Sequence, residues 1–238
     1  WPEVPEQCCS GRARRGILII TIDGPAGVGK STVAHQLAAR LGFRYLNTGA
    51  MYRAVAWACL RDSVSPVDEA ATVKVAREVQ FTMSADPVAP VLLVNDQDLG
   101  AELRTPEVSA AASKVAAVPG VRSLLVERQR SIASDGDWIA EGRDQGTAVF
   151  PDSPCKIYLD ADPAVRAERR AGDGTAETAE SIAERDARDA GRATDPLRPA
   201  DDAVVVDTTG LTIDQVVERV AACVSDVAGG AARSDSEE

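Results

Sequence analysis

The chain has 238 residues, enough for one α/β domain with an inserted lobe and too few for two well-built domains. Its net charge of −11 argues against non-specific binding to nucleic acid or anionic lipid, and no apolar run approaches the ~20 residues a membrane span needs. Five cysteines, an odd number without C-x-x-C spacing, favour free thiols in a reducing cytoplasm over a disulfide framework or a zinc site.

Trp1 to Gly16 is polar, broken by prolines and without a secretory signal, and reads as a disordered tail. Ile17 to Ile22 is a strand. Ser31 to Leu41 is a helix with Val33, Ala34, Leu37, Ala38 and Leu41 on one face. Arg53 to Arg61 looks helical. From Val64 to Arg104 the pattern changes: prolines stand at 66, 87 and 90, and runs such as Val91 to Val94 suggest small antiparallel strands of an inserted lobe. Thr105 to Ala117 and Pro119 to Ser134 read as helices, the second opened by its proline. Trp138 to Ala140, Lys156 to Leu159 and Ala203 to Val206 are candidate strands, and Thr212 to Val227 is an amphipathic helix. Residues 229–238, rich in Gly, Ser and acid, read as a second disordered tail. Alternation of strands and helices predicts an α/β fold, a parallel sheet flanked by helices, within a single domain over 17–228.

Between the first strand and the first helix lies Gly24-Pro25-Ala26-Gly27-Val28-Gly29-Lys30-Ser31, a match to G-x-x-x-x-G-K-[ST] in the context that motif requires. Glycines let the backbone N–H groups converge on a phosphate, and the helix that opens there adds its positive dipole end. Lys30 can reach the β- and γ-phosphates, the Ser31 hydroxyl can ligate Mg²⁺, and Thr32 follows in the first turn. The loop by itself does not separate kinases from other NTPases.

Further on come Tyr45-Leu-Asn-Thr-Gly-Ala-Met-Tyr-Arg53, Arg104-Thr-Pro-Glu, Ser113 to Arg122, Glu141-Gly-Arg143-Asp144 and Glu184-Arg185-Asp186-Ala-Arg188-Asp189-Ala-Gly-Arg192. With these motifs in this order, the chain resembles the bacterial cytidylate kinases of the nucleoside monophosphate kinase group, from about Ile17 to about Val227. The resemblance implies a P-loop core with an acceptor-binding lobe at about 48–118 and a lid at about 163–192. It assigns Ser113, Arg122 and Asp144 to the cytosine ring. Arg53, Arg143 and Arg192 fall to the CMP phosphate, Arg185 and Asp189 to the ribose, and Thr48 and Tyr52 to the acceptor motif. Arg166, Arg169 and Arg170 resemble the arginines where the family's lid begins, Arg169 and Arg170 serving ATP. The implied reaction is phosphoryl transfer from MgATP to CMP or dCMP, in which Lys30, Arg143 and Arg192 are catalytic. The implied enzyme is a cytoplasmic monomer.

The residue chemistry agrees. On a helix Arg185, Asp189 and Arg192 fall at i, i+4 and i+7, although a solvated ion-pair ladder has the same spacing. Ionised Asp144 suits the N4 amino donor of cytosine and repels the acceptor that uracil carries there, while Arg122 can donate to ring N3 or O2. The acceptor phosphate, with a second pKa of about 6, needs no strong base; positive charge and positioning are what the reaction demands. Asp23 could influence Mg²⁺ through water or cap a turn, and Glu141 could be structural or lie behind the site. His35 reads as a surface residue, and Trp57 and Tyr158 as core.

Two features depart from the family pattern. Asn47 stands where the acceptor motif has Asp, still able to orient a donor such as Arg53, and Ala171 to Ala183 is shorter than the usual lid. Rival readings are a P-loop kinase for UMP, AMP or shikimate, a nucleotide-dependent switch, which the absence of an Asn-Lys-x-Asp motif weakens, and a catalytically silent nucleotide-binding protein.

Overall fold

The computed structural model of the chain describes residues 17–83, 91–172 and 178–234, with residues 225–234 described as backbone only. The expected tail at Trp1 to Gly16, prolines 87 and 90, and the polar stretch 173–177 of the expected lid lie outside the described residues.

The central strand β1 (Ile19–Asp23) is buried along most of its length, as a strand covered on both faces must be. It leads through the glycine-rich loop into α1 (Lys30–Leu41), which stops at Gly42 in the left-handed conformation, its N–H donating to the Ala38 carbonyl. A short strand that the pattern did not single out, β2 (Arg44–Asn47), follows. The next helix, α2 (Thr48–Arg61), starts before Arg53 because Asn47 caps it, its side chain accepting from the Ala50 N–H at 2.9 Å. Part of the expected inserted lobe is helical: α3 (Glu69–Glu78) opens on an Asp68 cap. The expected antiparallel strands are β3 (Phe81–Met83) and β4 (Leu92–Val94), paired with Thr82 opposite Leu93. Both α4 (Pro106–Val115) and α5 (Pro119–Ile132) open on a proline, whose missing N–H costs nothing there.

The chain then re-enters the sheet through β5 (Trp138–Gly142), makes a single π-turn at Gln145–Val149, and forms β6 (Cys155–Asp160). The helices α6 (Pro163–Gly172) and α7 (Ala179–Ala190) form the region of the expected lid. The last elements are β7 (Val204–Asp207) and α8 (Ile213–Ser234), which runs past the Val227 end of the sequence pattern.

The main sheet has five strands in the order β2-β5-β1-β6-β7, all parallel. On one face α1 and α8 bury Val33, Leu37, Val216 and Val220 against Ile20, Ile22 and Ile157. On the other, the helical lobe buries Met51, Val55, Val115 and Leu125 against Leu46 and Ala140. Parallel strands end on one edge, and the strand order reverses about β1, so the crevice there collects the loops after β1, β2 and β5. Register fixes the detail: Asp23 lies opposite Gly142, and Asn47 opposite Glu141.

Candidate active site

At the end of β1 the loop needs glycine for packing as well as for backbone freedom. Gly24 has φ 146°, and a Cβ there would lie 2.1 Å from the Leu159 carbonyl oxygen; at Gly27, φ 80°, a Cβ would lie 2.6 Å from that of Arg166. Lys30 is buried and donates from Nζ to the Pro25 carbonyl at 2.6 Å. Burial holds its amine well below the ordinary value, and the like charge of Arg143 adds to this while Glu141 opposes it.

Beside the loop, buried Glu141 at the end of β5 accepts from the Ser31 hydroxyl at 2.7 Å and from the Tyr45 hydroxyl at 3.1 Å through the same Oε1. Glu141 is therefore the residue that aims Ser31. The Ser31 hydroxyl and the carboxylate behind it are hard oxygen donors of the kind Mg²⁺ takes. Among the described residues no group of three or more His, Cys, Asp and Glu converges to hold a metal. Asp23 accepts from the amides of Gln145 at 2.9 Å and Gly146 at 2.8 Å, so it pins the turn after β5. Burial pushes its carboxyl up to about 7, with the two amides acting the other way.

Across the crevice the structure brings the expected acceptor residues into two clusters. The first surrounds Asp189 on α7, which pairs with Arg192, accepts from Arg143 Nε at 3.0 Å, and faces the Ser113 hydroxyl at 3.4 Å. Burial works against the ionised form, yet Arg143, Arg192 and Arg185 hold its carboxyl below the usual range. Arg143 also donates to the Gly24 carbonyl at 2.9 Å, tying this cluster to the phosphate loop. Three guanidinium groups converge on this carboxylate, and among the described residues the buried Nε atoms of Arg53 and Arg192 have no hydrogen-bond partner. Burial lowers the Arg53 pKa; Glu141 and Tyr45 oppose this, and Arg104 and Arg170 add like charge. Such a field suits a dianionic phosphate.

The second cluster is the Arg122–Asp144 ion pair, with side chains only 2% and 4% exposed, packed beside Tyr52. Asp195 completes it, accepting from Arg122 Nε at 3.2 Å and Nη2 at 2.9 Å. Ser113, expected at the base with these two, donates to Asp189 of the first cluster. Thr48 donates to the Glu141 carbonyl at 2.8 Å and receives Gln145 Nε2 at 3.3 Å, which fixes the start of α2 and hence Arg53. Asn47 caps α2 through the Ala50 amide, so the donor it orients is backbone and not the Arg53 guanidinium.

On the lid side, buried Arg166 donates to the Ala26 carbonyl at 3.1 Å and pairs with Asp186, which accepts from the Ala26 N–H at 3.2 Å. One ion pair thus grips both polar groups of a loop residue. Arg169 donates to the hydroxyl and carbonyl of Thr208 at 2.9 and 2.8 Å, next to the loop at Val28. Arg170 lies near enough to Arg53 to act on its charge. His35 is exposed, its ring edge-on to Tyr45 at 5.8 Å. Trp57 packs half-buried against the acceptor-lobe core, and Tyr158 is half-buried. Cys59, Cys155 and Cys223 are free thiols. Among the described residues no helix is long and apolar enough to cross a membrane.

Asp186, Asp195 and Gln145 received no role from sequence. Asp186 sits inside the quoted arginine run, where the alternation of signs was a usable signal. Asp195 stands alone before Pro196, and nothing local marks it.

Comparison with known proteins agrees with this geometry. The family model described as cytidylate kinase matches residues 20–226. A cytidylate kinase of Streptomyces griseus is 44% identical over 216 residues, covering 88% of this chain and 94% of that one. That of Nocardia farcinica is 45% identical, covering 87% and 94%, and that of Methylococcus capsulatus 43% identical, covering 85% and 94%. With a phosphate loop facing an arginine-rich cleft, a family model matching residues 20–226 and relatives of this similarity over nearly their whole length, the chain belongs to the cytidylate kinase family.

Proposed function

We propose that the chain transfers the γ-phosphoryl group of ATP to the phosphate of CMP or dCMP. The observation that carries this reading is the pairing, on one sheet edge, of a phosphate loop with a cleft that holds a buried Arg122–Asp144 pair beside the arginines converging on Asp189. Donor phosphates are held by the amides of Gly27 to Ser31 and by Lys30. Arg53, Arg143 and Arg192 take the acceptor phosphate, Arg185 and Asp189 the ribose, and Arg122, Asp144 and Ser113 the base, with Thr48 and Tyr52 framing the cleft. Arg169 and Arg170 serve the ATP side.

Two anions must be brought together in line, and converging cations in a water-poor cleft lower that barrier. Ser31, aimed by Glu141, would hold Mg²⁺, which supplies charge neutralisation between the β- and γ-phosphates when bound. The buried Asp144 carboxylate offers an acceptor to the cytosine N4 amino group and meets the uracil O4 as repulsion. The same reading takes the enzyme to be monomeric and cytoplasmic.

The test is an ADP-release assay with ATP and each monophosphate in turn. CMP and dCMP should outperform UMP, AMP and GMP; equal turnover with AMP would overturn the cytosine assignment.

A further inference from the structure

Arg122 is held by more than the base-site carboxylate. Its Nε and Nη2 donate to Asp195 Oδ2 at 3.2 and 2.9 Å, Nη2 also pairs with Asp144 Oδ2, and Nη1 faces the Ala116 carbonyl at 3.5 Å. A guanidinium carries one hydrogen on Nε and two on each Nη. The Nε hydrogen and both Nη2 hydrogens are thus committed to carboxylates, and one Nη1 hydrogen to a carbonyl. The other Nη1 hydrogen remains for a ligand. Among the described residues, Asp144 meets Arg122 through Oδ2, leaving Oδ1 as an acceptor. One aimed donor beside one aimed acceptor is the complement of the cytosine edge, with its N4 amino donor and its ring acceptors.

We infer that Asp195 is a specificity-determining positioning residue: it occupies the Nε–Nη2 edge of Arg122, so that this edge cannot turn onto Asp144 as a two-bond fork and use up the oxygen that reads the base, while the Ala116 carbonyl helps to hold Nη1. The inference rests on the proposed cytosine site. Arginine and a carboxylate left to themselves favour the bidentate fork, and buried Asp144 is the nearest alternative partner. Asp195 is well placed to prevent it. It is 30% exposed, against 2% for Arg122, so its ionised form keeps some hydration. It adopts φ 49°, a conformation that Asp tolerates better than most residues. The connection that carries it is tied to α7 by the Leu197 N–H donating to the Asp189 carbonyl at 2.9 Å. Base reading and the ribose–phosphate cluster therefore share one rigid support.

The experiment compares wild type, Asp195→Ala, Asp195→Asn and Asp144→Asn with CMP, UMP and ATP as varied substrates, alongside melting temperature. For Asp195→Ala the CMP KM should rise about tenfold, the equivalent of one charge-assisted hydrogen bond's ordering. The CMP-over-UMP preference in kcat/KM should fall, with kcat and ATP KM changing less than CMP KM. Asp195→Asn, which keeps one acceptor for Arg122, should fall between. If Asp144→Asn relaxes the preference and Asp195→Ala does not, the inference is wrong and the base site stands. A loss of melting temperature with CMP and ATP KM rising together would also overturn it, in favour of a structural role. If wild type has no preference for CMP over UMP, the base site itself is misread and the inference goes with it.

Discussion

On the donor side of the cleft the phosphate loop is contiguous, Gly24 to Ser31, and most of its phosphate-facing chemistry is backbone. On the acceptor side the proposed working groups are side chains from α2, α5, the turn after β5, α7 and the connection after it, and they pair with one another: Arg122 with Asp144 and Asp195, and Arg143 and Arg192 with Asp189. The donor side can thus be disabled at a single residue with only one loop hydrogen bond lost, Lys30 to the Pro25 carbonyl. The acceptor side cannot lose a carboxylate without leaving buried cations uncompensated. Function and stability should separate on one side and travel together on the other.

The largest expected effect tests the donor side. Lys30→Ala removes the cation proposed to meet the transferring phosphoryl group and leaves the glycine turns in place, so kcat should drop by about 10²–10³-fold, the usual scale for losing one preorganised charge contact. Melting temperature should fall less than for a lost carboxylate on the acceptor side, since the variant gives up a buried ammonium that burial disfavours, although the Pro25 carbonyl loses its donor. A folded variant with kcat within tenfold of wild type (about 1.4 kcal/mol) would remove Lys30 from the mechanism.

Asp189→Ala sharpens the contrast from the other side. It removes the carboxylate that pairs with buried Arg143 and Arg192, so stability at neutral pH should fall by on the order of 3 kcal/mol, as when one partner of a buried pair is removed. The sign follows from the depressed pKa. The ionised carboxylate stabilises the fold above the ordinary value of 3.8, and that contribution disappears as pH falls through the lower folded-state value. Wild type and variant should therefore converge in acid, which denaturant titrations at several pH values can check. CMP KM should rise more than ATP KM; equal increases would mean that α7 acts on both halves alike.

The same contrast explains what was legible in the sequence. Strands and helices of the core were readable because β1, β5 and β6 are short apolar runs and α1 and α8 carry a 3.6-residue stripe. The phosphate loop was readable because its residues are consecutive. On the acceptor side, the arginines and carboxylates could be nominated only through motif order, since five separate segments have to meet before their pairing means anything. Asp195 shows the limit. Its partner Arg122 lies 73 positions away, and no local pattern links them. α3 was missed for a plainer reason: the prolines around it obscured a helix whose buried face is small, Thr72, Val75 and Ala76. β2 is four residues long and begins with an arginine, too little for an alternation to register.

The smallest effect belongs to Asn47, which sits where the two sides touch. Opposite Glu141 in the β2–β5 register, it begins the helix that carries Tyr52 and Arg53, and its side chain accepts from the Ala50 N–H. An aspartate would make the same cap with similar strength, so Asn47→Asp should change stability by less than about 0.5 kcal/mol. Its added charge would fall near Arg53 Nη1, because both the Asn47 oxygen and that nitrogen flank Gly49: a Cβ there would lie 3.4 Å from one and 3.2 Å from the other. The charge would hold Arg53 better and neutralise it more, opposing contributions each of about 1 kcal/mol. CMP KM should therefore move by less than about tenfold, with ATP KM nearly unchanged because Lys30 and the loop amides are untouched. An undetectable wild-type activity restored by Asn47→Asp would mean that the charge is essential on the acceptor side and that the native chain is a silent nucleotide binder.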